Sequence, residues 1–232
     1  MFLIAKNLLK KANCNKAKGK IERMINFKKW VPTVCLVFSL ILAISSIYTP
    51  WWGVWNSMAN HVATNDTKVA YYMPLQTIIA DNVKANVSIA LPFNDIAGND
   101  TNRNALSNVF TTTLDMAIVG MVLTIITLAL TVITVLQKKT LKHIWLIGII
   151  GAILLFLAAF YITQMMTPAF TRFVNIVPSE IGAIPGKQIA SFWGSADIWT
   201  WGAGYGWLLL LMSALLATIG STLFRQSQER TE

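Results

Sequence analysis

The sequence predicts an all-α transmembrane protein: a four-helix antiparallel bundle with a small β-rich extracellular loop domain. Three observations support this fold class. Hydrophobic residues make up 55% of the chain and charged residues 12%, whereas an ordinary soluble domain carries about 25% charged residues. Four segments lack Asp, Glu, Lys and Arg, and each is long enough to cross a hydrocarbon core, which needs about 20 apolar residues in a helix. Most of the basic residues lie before the first segment, between the second and the third, and after the fourth.

The apolar segments divide the chain into alternating spans and connections. Their length, and the lack of period-two alternation along them, favours helices over barrel strands. The predicted segments are a basic cytoplasmic leader at 1–29, a first span at 30–49, an extracellular β-rich loop at 50–115, a second span at 116–136, a cytoplasmic turn at 137–143, a third span at 144–166, a second extracellular loop at 167–197, a fourth span at 198–224 and a cytoplasmic tail at 225–232.

The positive charges predict the orientation. The net charge is +9, but nine of the nineteen basic residues precede Trp30, and more follow at Lys138, Lys139, Lys142 and Arg225. Cytoplasmic loops carry an excess of Lys and Arg, so both termini are expected in the cytoplasm of a multi-pass protein of the cell (plasma) membrane. Because the charge lies beside the spans and not on a soluble domain, it indicates membrane lipids and not nucleic acid as the partner.

The first long loop carries further marks of an outside location. N-x-[ST] sequons make Asn65, Asn86 and Asn99 glycosylation candidates. The only cysteines, Cys14 and Cys35, lie in the leader and in the first span, so no disulfide is expected in either outer loop. The leader is expected to be retained as a signal anchor, since a full span follows it without a small-residue cleavage site.

The loops themselves are expected to be folded. Val69–Ile79, Val87–Phe93 and Val109–Thr113 are rich in β-branched and aromatic residues, which predicts a small antiparallel sheet. Pro74 and Pro92 should then fall at edges or strand ends. The second loop, which is rich in Pro and Gly, is expected to form a turn-rich cap. The tryptophans of the first loop are predicted to anchor it at the helix ends, and these are Trp51, Trp52 and Trp55.

No catalytic, cofactor or metal site is predicted, so the chain is expected not to be an enzyme. His61 and His143 are assigned to opposite sides of the membrane, which excludes a shared metal site. Asp115 could handle protons, as acids near membranes often do, but a place in the first turn of the second helix is favoured, where it would stabilise the helix dipole. The run Gly194–Asp197 is expected to form a turn before the fourth helix.

Small and hydroxyl residues recur at helical spacing in the spans. Such residues allow helix backbones to approach closely, which favours a packing role. A threonine-lined conduction path is the alternative. The predicted packing residues are Gly120, Thr124, Thr127, Thr131 and Thr134 in the second span, Gly148 and Ala152 in the third, and Gly202, Gly206, Ser213, Ala217 and Gly220 in the fourth.

The order of elements resembles that of the claudin and peripheral-myelin-protein-like tetraspan superfamily. The run Trp51–Trp55 is similar to the W-x(n)-G-L-W signature after the first claudin helix, and Trp201–Trp207 is similar to the G-x-x-x-Y-x-x-W opening of the fourth. The resemblance covers residues 30–224 and implies a β-bearing outer loop and lateral assembly. Claudins carry two loop cysteines after the first motif, whereas no cysteine follows position 35 here.

These observations predict a non-enzymatic structural or accessory subunit that acts through lateral and extracellular contacts. Its expected partners are membrane lipids and other membrane protein subunits or copies of itself. A channel or transporter component is the first alternative, and a small subunit of a membrane redox complex is the second. The lack of histidine pairs in the spans disfavours the redox alternative.

Overall fold

The computed structural model describes residues 30–56, 68–75, 77–82, 87–92, 104–137, 143–174, 190–196 and 199–229. Four long apolar helices pack antiparallel, and a small antiparallel sheet lies between the first helix and the second, which confirms the predicted fold class. All four helices are long and apolar enough to cross a membrane. The chain is a multi-pass membrane protein with four spans. The helices are α1 (Trp30–Ile47), α2 (Asn104–Gln137), α3 (Ile144–Val174) and α4 (Tyr205–Glu229).

Among the described residues the sheet has six strands, which come from both of the loops predicted to lie outside. The spatial order is β4-β3-β2-β1-β6-β5, and every neighbouring pair is antiparallel. The central strand β1 pairs with β2 from the first loop on one side and with β6 from the second loop on the other. The strands are β1 (Trp52–Asn56), β2 (Lys68–Met73), β3 (Thr77–Asn82), β4 (Val87–Pro92), β5 (Gly194–Ala196) and β6 (Trp199–Ala203).

The first loop differs from the expectation in its strands. Val69–Ile79 is not one strand, because the chain turns at Pro74 and Leu75 and continues as β3. Pro92 ends β4, which lies at the sheet edge, so both prolines fall where a missing N–H does not interrupt a ladder.

The prediction of a strand at Val109–Thr113 is wrong, since these residues lie in α2. The buried residues Leu106, Val109, Phe110 and Thr113 are spaced three and four apart, which is the period of one helix face. Burial of that face outweighs the β preference of the branched residues. Asp115 therefore lies well inside α2, exposed on its outer side, and not in the first turn as expected.

The second loop also differs from the expected turn-rich cap. Gly194–Ala196 forms β5 and not a turn, and the segment predicted to open the fourth helix forms β6 instead. α4 begins only at Tyr205. At the other end of this loop α3 continues through Pro168 to Val174, since Met166, Ala169 and Phe170 are buried beneath the sheet.

The helices meet through small residues and hydroxyl groups. Ser39 of α1 and Ser213 of α4 donate hydrogen bonds to each other's backbone carbonyls, both at 2.8 Å. A Cβ added at Gly120 of α2 would lie 2.9 Å from the carbonyl oxygen of Gly151 in α3. A Cβ added at Gly148 of α3 would collide with the hydroxyl of Ser221 in α4. These contacts show that α4 packs against α1 and α3, and that α3 also packs against α2.

The exposed apolar side chains mark the layer that faces lipid. On α2 they run from Ile118 to Leu136, and on α3 from Leu146 to Met165. At about 1.5 Å per residue each range covers roughly 27 to 29 Å, close to the hydrocarbon thickness of about 30 Å. Asp115 is exposed about one turn before Ile118, at the end of this range nearest the sheet.

Aromatic residues lie at both boundaries of this layer, as interfacial anchors do. Tyr48 and Tyr205 are exposed where α1 and α4 meet the sheet. Trp30 and Trp145 lie at the opposite end of the bundle, which we term the distal end. There the Arg225 guanidinium stacks over the Trp145 ring, 4.7 Å from its centroid.

Candidate functional site at the junction of sheet and bundle

A cluster of aromatic side chains joins the sheet to the helix ends. We term it the aromatic junction, and it comprises Trp51, Trp52, Tyr72, Phe110, Phe170, Phe192 and Trp201, all of which are buried. Side chains from both loops and from α2 and α3 take part in it. It is the place where the sheet and the bundle share one hydrophobic core.

Trp51 connects α1 to the sheet. Its indole N–H donates to the Ser46 carbonyl at 2.8 Å, and its ring stacks on Phe110 of α2 with the centroids 6.3 Å apart. Its backbone N–H donates to Tyr72 O at 3.1 Å, and its own carbonyl accepts from the Gly204 N–H at 3.0 Å. Trp51 therefore fixes the position of β2 and of the chain before α4 relative to α1.

Trp52 is the centre of the junction. Its ring centroid lies 4.8 Å from that of Phe170 in α3 and 5.3 Å from that of Tyr72 in β2. Its indole N–H donates to the Phe192 carbonyl at 2.9 Å, which satisfies the one polar atom that burial of the ring would otherwise leave unpaired. Burial raises the pKa of the neighbouring Tyr72 phenol, so this group stays neutral at pH values well above those at which a tyrosine ordinarily ionises.

The second loop is held by two further indole groups. The Trp201 indole N–H donates to the Ser191 carbonyl at 2.9 Å. The Trp201 ring lies against Gly194, so a side chain at position 194 would collide with that ring. Trp207 of α4 donates to the Ala159 carbonyl of α3 at 3.0 Å. The ring of Trp193 rests on Gly202 and meets the Trp207 ring edge-on at 5.3 Å. Gly194 and Gly202 thus provide space for tryptophan rings.

Each predicted loop anchor belongs to β1 or immediately precedes it. Trp51 and Trp52 are fully buried, and Trp55 is half-buried. The roles of Tyr72, Phe110, Phe170 and Phe192 in the junction were not predicted from the sequence. The position of Phe170 on the buried face of α3 could have been predicted, because Met166 and Phe170 are four residues apart and continue the apolar periodicity of the third span.

The predicted packing residues are all buried, but not all lie in helices. Gly202 lies in β6 beneath Trp193, whereas the other eleven lie in α2, α3 or α4. Thr124 and Thr127 donate to the carbonyls of Gly120 and Leu123 in their own helix. The glycosylation candidates Asn65, Asn86 and Asn99 lie outside the described residues, as do the leader and His61.

The sheet ends in two different edges. β5 has three residues, whereas β4 has six, Val87–Pro92, none of them charged. In the described part of the chain no strand pairs with the outer edge of β4. An edge strand exposes N–H and C=O groups that can pair with another chain, and proteins commonly protect such edges with charged residues. β4 lacks that protection along its length.

Among the described residues no three His, Cys, Asp or Glu side chains lie close enough together to hold a metal ion. His143 is exposed at the distal end, just before α3. No model of a known protein family matches this sequence, and no curated protein is similar to it at a significant level.

Proposed function

We propose that this protein is a non-enzymatic structural or accessory subunit of a membrane assembly, and that it contacts its neighbours through the sheet edge at β4. The observation that carries this proposal is a sheet that is seated on the bundle through the aromatic junction and ends in an uncharged edge strand. Pairing along such an edge supplies main-chain hydrogen bonds, and the side chains of the strand supply specificity. The preferred neighbour is a second copy, because two β4 edges can pair around a two-fold axis.

The aromatic junction supports this proposal because it attaches the sheet to three helices. Trp51 and Trp52 bind the sheet to α1, α2 and α3 through buried rings and through indole hydrogen bonds to Ser46 and Phe192. The strands β2 and β3 connect the attached strand β1 to β4, so the attached sheet carries β4 at its outer edge. Pre-organisation of this kind lowers the entropic cost of association.

The order of elements supports a relation to claudin-like tetraspan proteins, with a sheet strand directly after α1 and a Trp- and Gly-rich entry into α4. In this chain the loop cysteines of claudins are missing, and the aromatic junction supplies the corresponding restraint between the strands. A channel or transporter component remains the second candidate, favoured by the row of buried threonines in α2.

Cysteine crosslinking tests the edge contact. Ala90 is exposed in β4 and Ser195 is exposed in β5, so the variants Ala90→Cys and Ser195→Cys form a matched pair at the two edges. Both are made in a Cys14→Ala, Cys35→Ala background and treated in native membranes with a short bifunctional thiol reagent. We expect Ala90→Cys to give an adduct of about twice the 25.7 kDa chain mass and Ser195→Cys to stay monomeric.

An adduct of another mass at Ala90→Cys would identify a different subunit at the same edge. Equal adducts from both variants, or none from Ala90→Cys, would contradict a contact through β4. A folded monomer in mild detergent and in native membranes alike would contradict the whole proposal.

The proposed orientation places the sheet outside the cell and both termini in the cytoplasm. We expect a membrane-impermeant thiol reagent to label Asn99→Cys in intact cells but to label Lys139→Cys only after the cells are opened, since basic segments remain in the cytoplasm. The same cysteine-free background serves as the control. Labelling of Lys139→Cys in intact cells would reverse the orientation without affecting the crosslinking result.

A further inference from the structure

The connections to the helices fix which end of the sheet faces the membrane. β1 follows α1 after the short connection 48–51, and β6 leads into α4 through Gly204. β1 therefore runs away from the bundle and β6 runs towards it. Because neighbouring strands are antiparallel, β2 also runs towards the bundle and β5 runs away from it. We term the end nearest the bundle the membrane-facing rim, and it comprises Pro74 and Leu75 between β2 and β3, and Trp193 just before β5.

The contacts of Trp193 with α4 locate one side of this rim. Its ring is 49% exposed and meets the Trp207 ring edge-on, with the centroids 5.3 Å apart. The Trp207 indole N–H in turn donates to the Ala159 carbonyl of α3 at 3.0 Å. Ala159 is adjacent to Phe160, which is 61% exposed among the lipid-facing residues of α3. The Trp193 ring therefore lies next to a part of the bundle that faces lipid.

Leu75 reaches a similar depth on the other side of the sheet. The Tyr72 ring in β2 meets the Phe170 ring with the centroids 5.6 Å apart. Phe170 lies about 7 to 8 Å beyond Met165, the exposed apolar residue of α3 nearest the sheet, at about 1.5 Å per residue. From Tyr72 the chain runs towards the membrane to Leu75, which covers up to about 10 Å at roughly 3.3 Å per residue. The turn is thus long enough to reach the lipid boundary at Met165.

The chemical character of the sheet changes along its strands in the same direction. The turn at the rim consists of Met73–Leu75, although Gly, Asn, Asp and Ser are common in turns. At the opposite end of the sheet β2 begins with Lys68, which pairs with Asn82. Where the structure describes side chains outside the helices, three large apolar residues are exposed, and all lie at the end nearest the bundle: Tyr48, Leu75 and Trp193.

We propose that the membrane-facing rim is a lipid-binding surface, and that Trp193 and Leu75 enter the boundary between headgroups and acyl chains on opposite sides of β1. The partner is the bilayer leaflet around the bundle, because the rim continues the lipid-facing surface of α3 and α4. A tryptophan suits this depth, since its ring is apolar and its N–H is polar. The rim is distinct from the β4 edge, so a lack of pairing at β4 would leave this proposal unaffected.

Spin labels distinguish lipid, water and protein as the surroundings of these positions. Leu75→Cys and Trp193→Cys are made in the cysteine-free background, labelled with a nitroxide and reconstituted in phosphatidylcholine vesicles. Ser195→Cys, exposed in β5 further from the rim, is the water-facing control, and Phe160→Cys is the lipid-facing control. We expect the ratio of collision rates with oxygen and with a polar nickel complex to be at least about threefold higher at both rim positions than at Ser195→Cys, because the polar complex is excluded from hydrocarbon.

Two other outcomes of this measurement are informative. A ratio at either rim position as low as that of Ser195→Cys would show that the label lies in water, and it would overturn the proposal. Low collision rates with both reagents would show that protein covers the label, and they would overturn the proposal as well.

Fluorescence quenching tests the native Trp193 ring, which the cysteine variant removes. The protein is reconstituted in phosphatidylcholine vesicles that contain a lipid with a nitroxide near the headgroup end of its acyl chain. Trp193→Phe removes an indole that this lipid quenches, so we expect the quenched fraction of the tryptophan emission to fall. Trp55→Phe is the matched control, because Trp55 lies in β1 away from the rim and its removal should raise that fraction. A quenched fraction that is unchanged or higher in Trp193→Phe would overturn the proposal.

Discussion

Replacing Trp52 with alanine is expected to lower the free energy of unfolding by about 3 to 5 kcal/mol, the cost of truncating a buried aromatic side chain. The ring is fully buried between Phe170 and Tyr72, and its indole N–H bonds the Phe192 carbonyl. Truncation therefore leaves a cavity at the junction and an unpaired carbonyl in the second loop. Both effects weaken the connection between β1 and α3.

Unfolding in a graded mixture of mild and denaturing detergent measures this loss. Trp30→Ala is the matched control, since that tryptophan is 41% exposed at the distal end, and we expect it to cost under about 1 kcal/mol. Trp52→Phe should recover part of the loss, because it refills most of the cavity without restoring the hydrogen bond. A Trp52→Ala protein as stable as the Trp30→Ala protein would show that the ring does not hold the sheet.

The second large effect is expected at Gly206, where α4 begins against the end of α1. A Cβ at this position would lie 2.5 Å from Trp51 Cδ1, 2.6 Å from the Thr49 carbonyl oxygen and 2.8 Å from the Ser46 carbonyl oxygen. Two of these atoms belong to the backbone and cannot rotate away. The Gly206 N–H also donates to the Pro50 carbonyl at 2.8 Å, so separating the two helix ends would break a short buried contact.

We expect Gly206→Ala to lower the free energy of unfolding by roughly 2 to 3 kcal/mol, as overpacking does, although alanine is favoured over glycine in a helix by about 1 kcal/mol. The neighbouring Tyr205 is 78% exposed, and Tyr205→Ala should leave stability nearly unchanged in the same detergent titration. A stabilised Gly206→Ala protein would mean that helix propensity outweighs the contact between α1 and α4.

The spans and their order were predictable from the sequence because lipid imposes a simple condition. A helix in lipid needs about 20 apolar residues and no charge, and the composition of this chain satisfies that condition in four places. The buried helix faces were also predictable, since Thr124, Thr127 and Gly120 recur at the helical period. The tryptophans in β1 and just before it were predicted to be anchors, but the sequence did not show which aromatic rings they contact.

The ends of the helices were not predictable in the same way. α2 extends to Asn104 and α3 to Val174, beyond the lipid layer, so hydropathy no longer marks them. What holds these turns in the helix is burial of Phe110 against Trp51 and of Phe170 against Trp52. These contacts join residues far apart in the chain, and a β-branched run such as Val109–Thr113 therefore resembles a strand when it is considered alone.

The sequence by itself determined that this chain is a four-span membrane protein with a β-bearing loop, because hydrophobic length and charge placement are local properties. Only the tertiary structure decided that the second loop completes the sheet as β5 and β6. Pairing of Trp52–Asn56 with Trp199–Ala203 joins residues far apart in the chain. Such pairing depends on α1 and α4 lying side by side, and no local pattern in either segment specifies it.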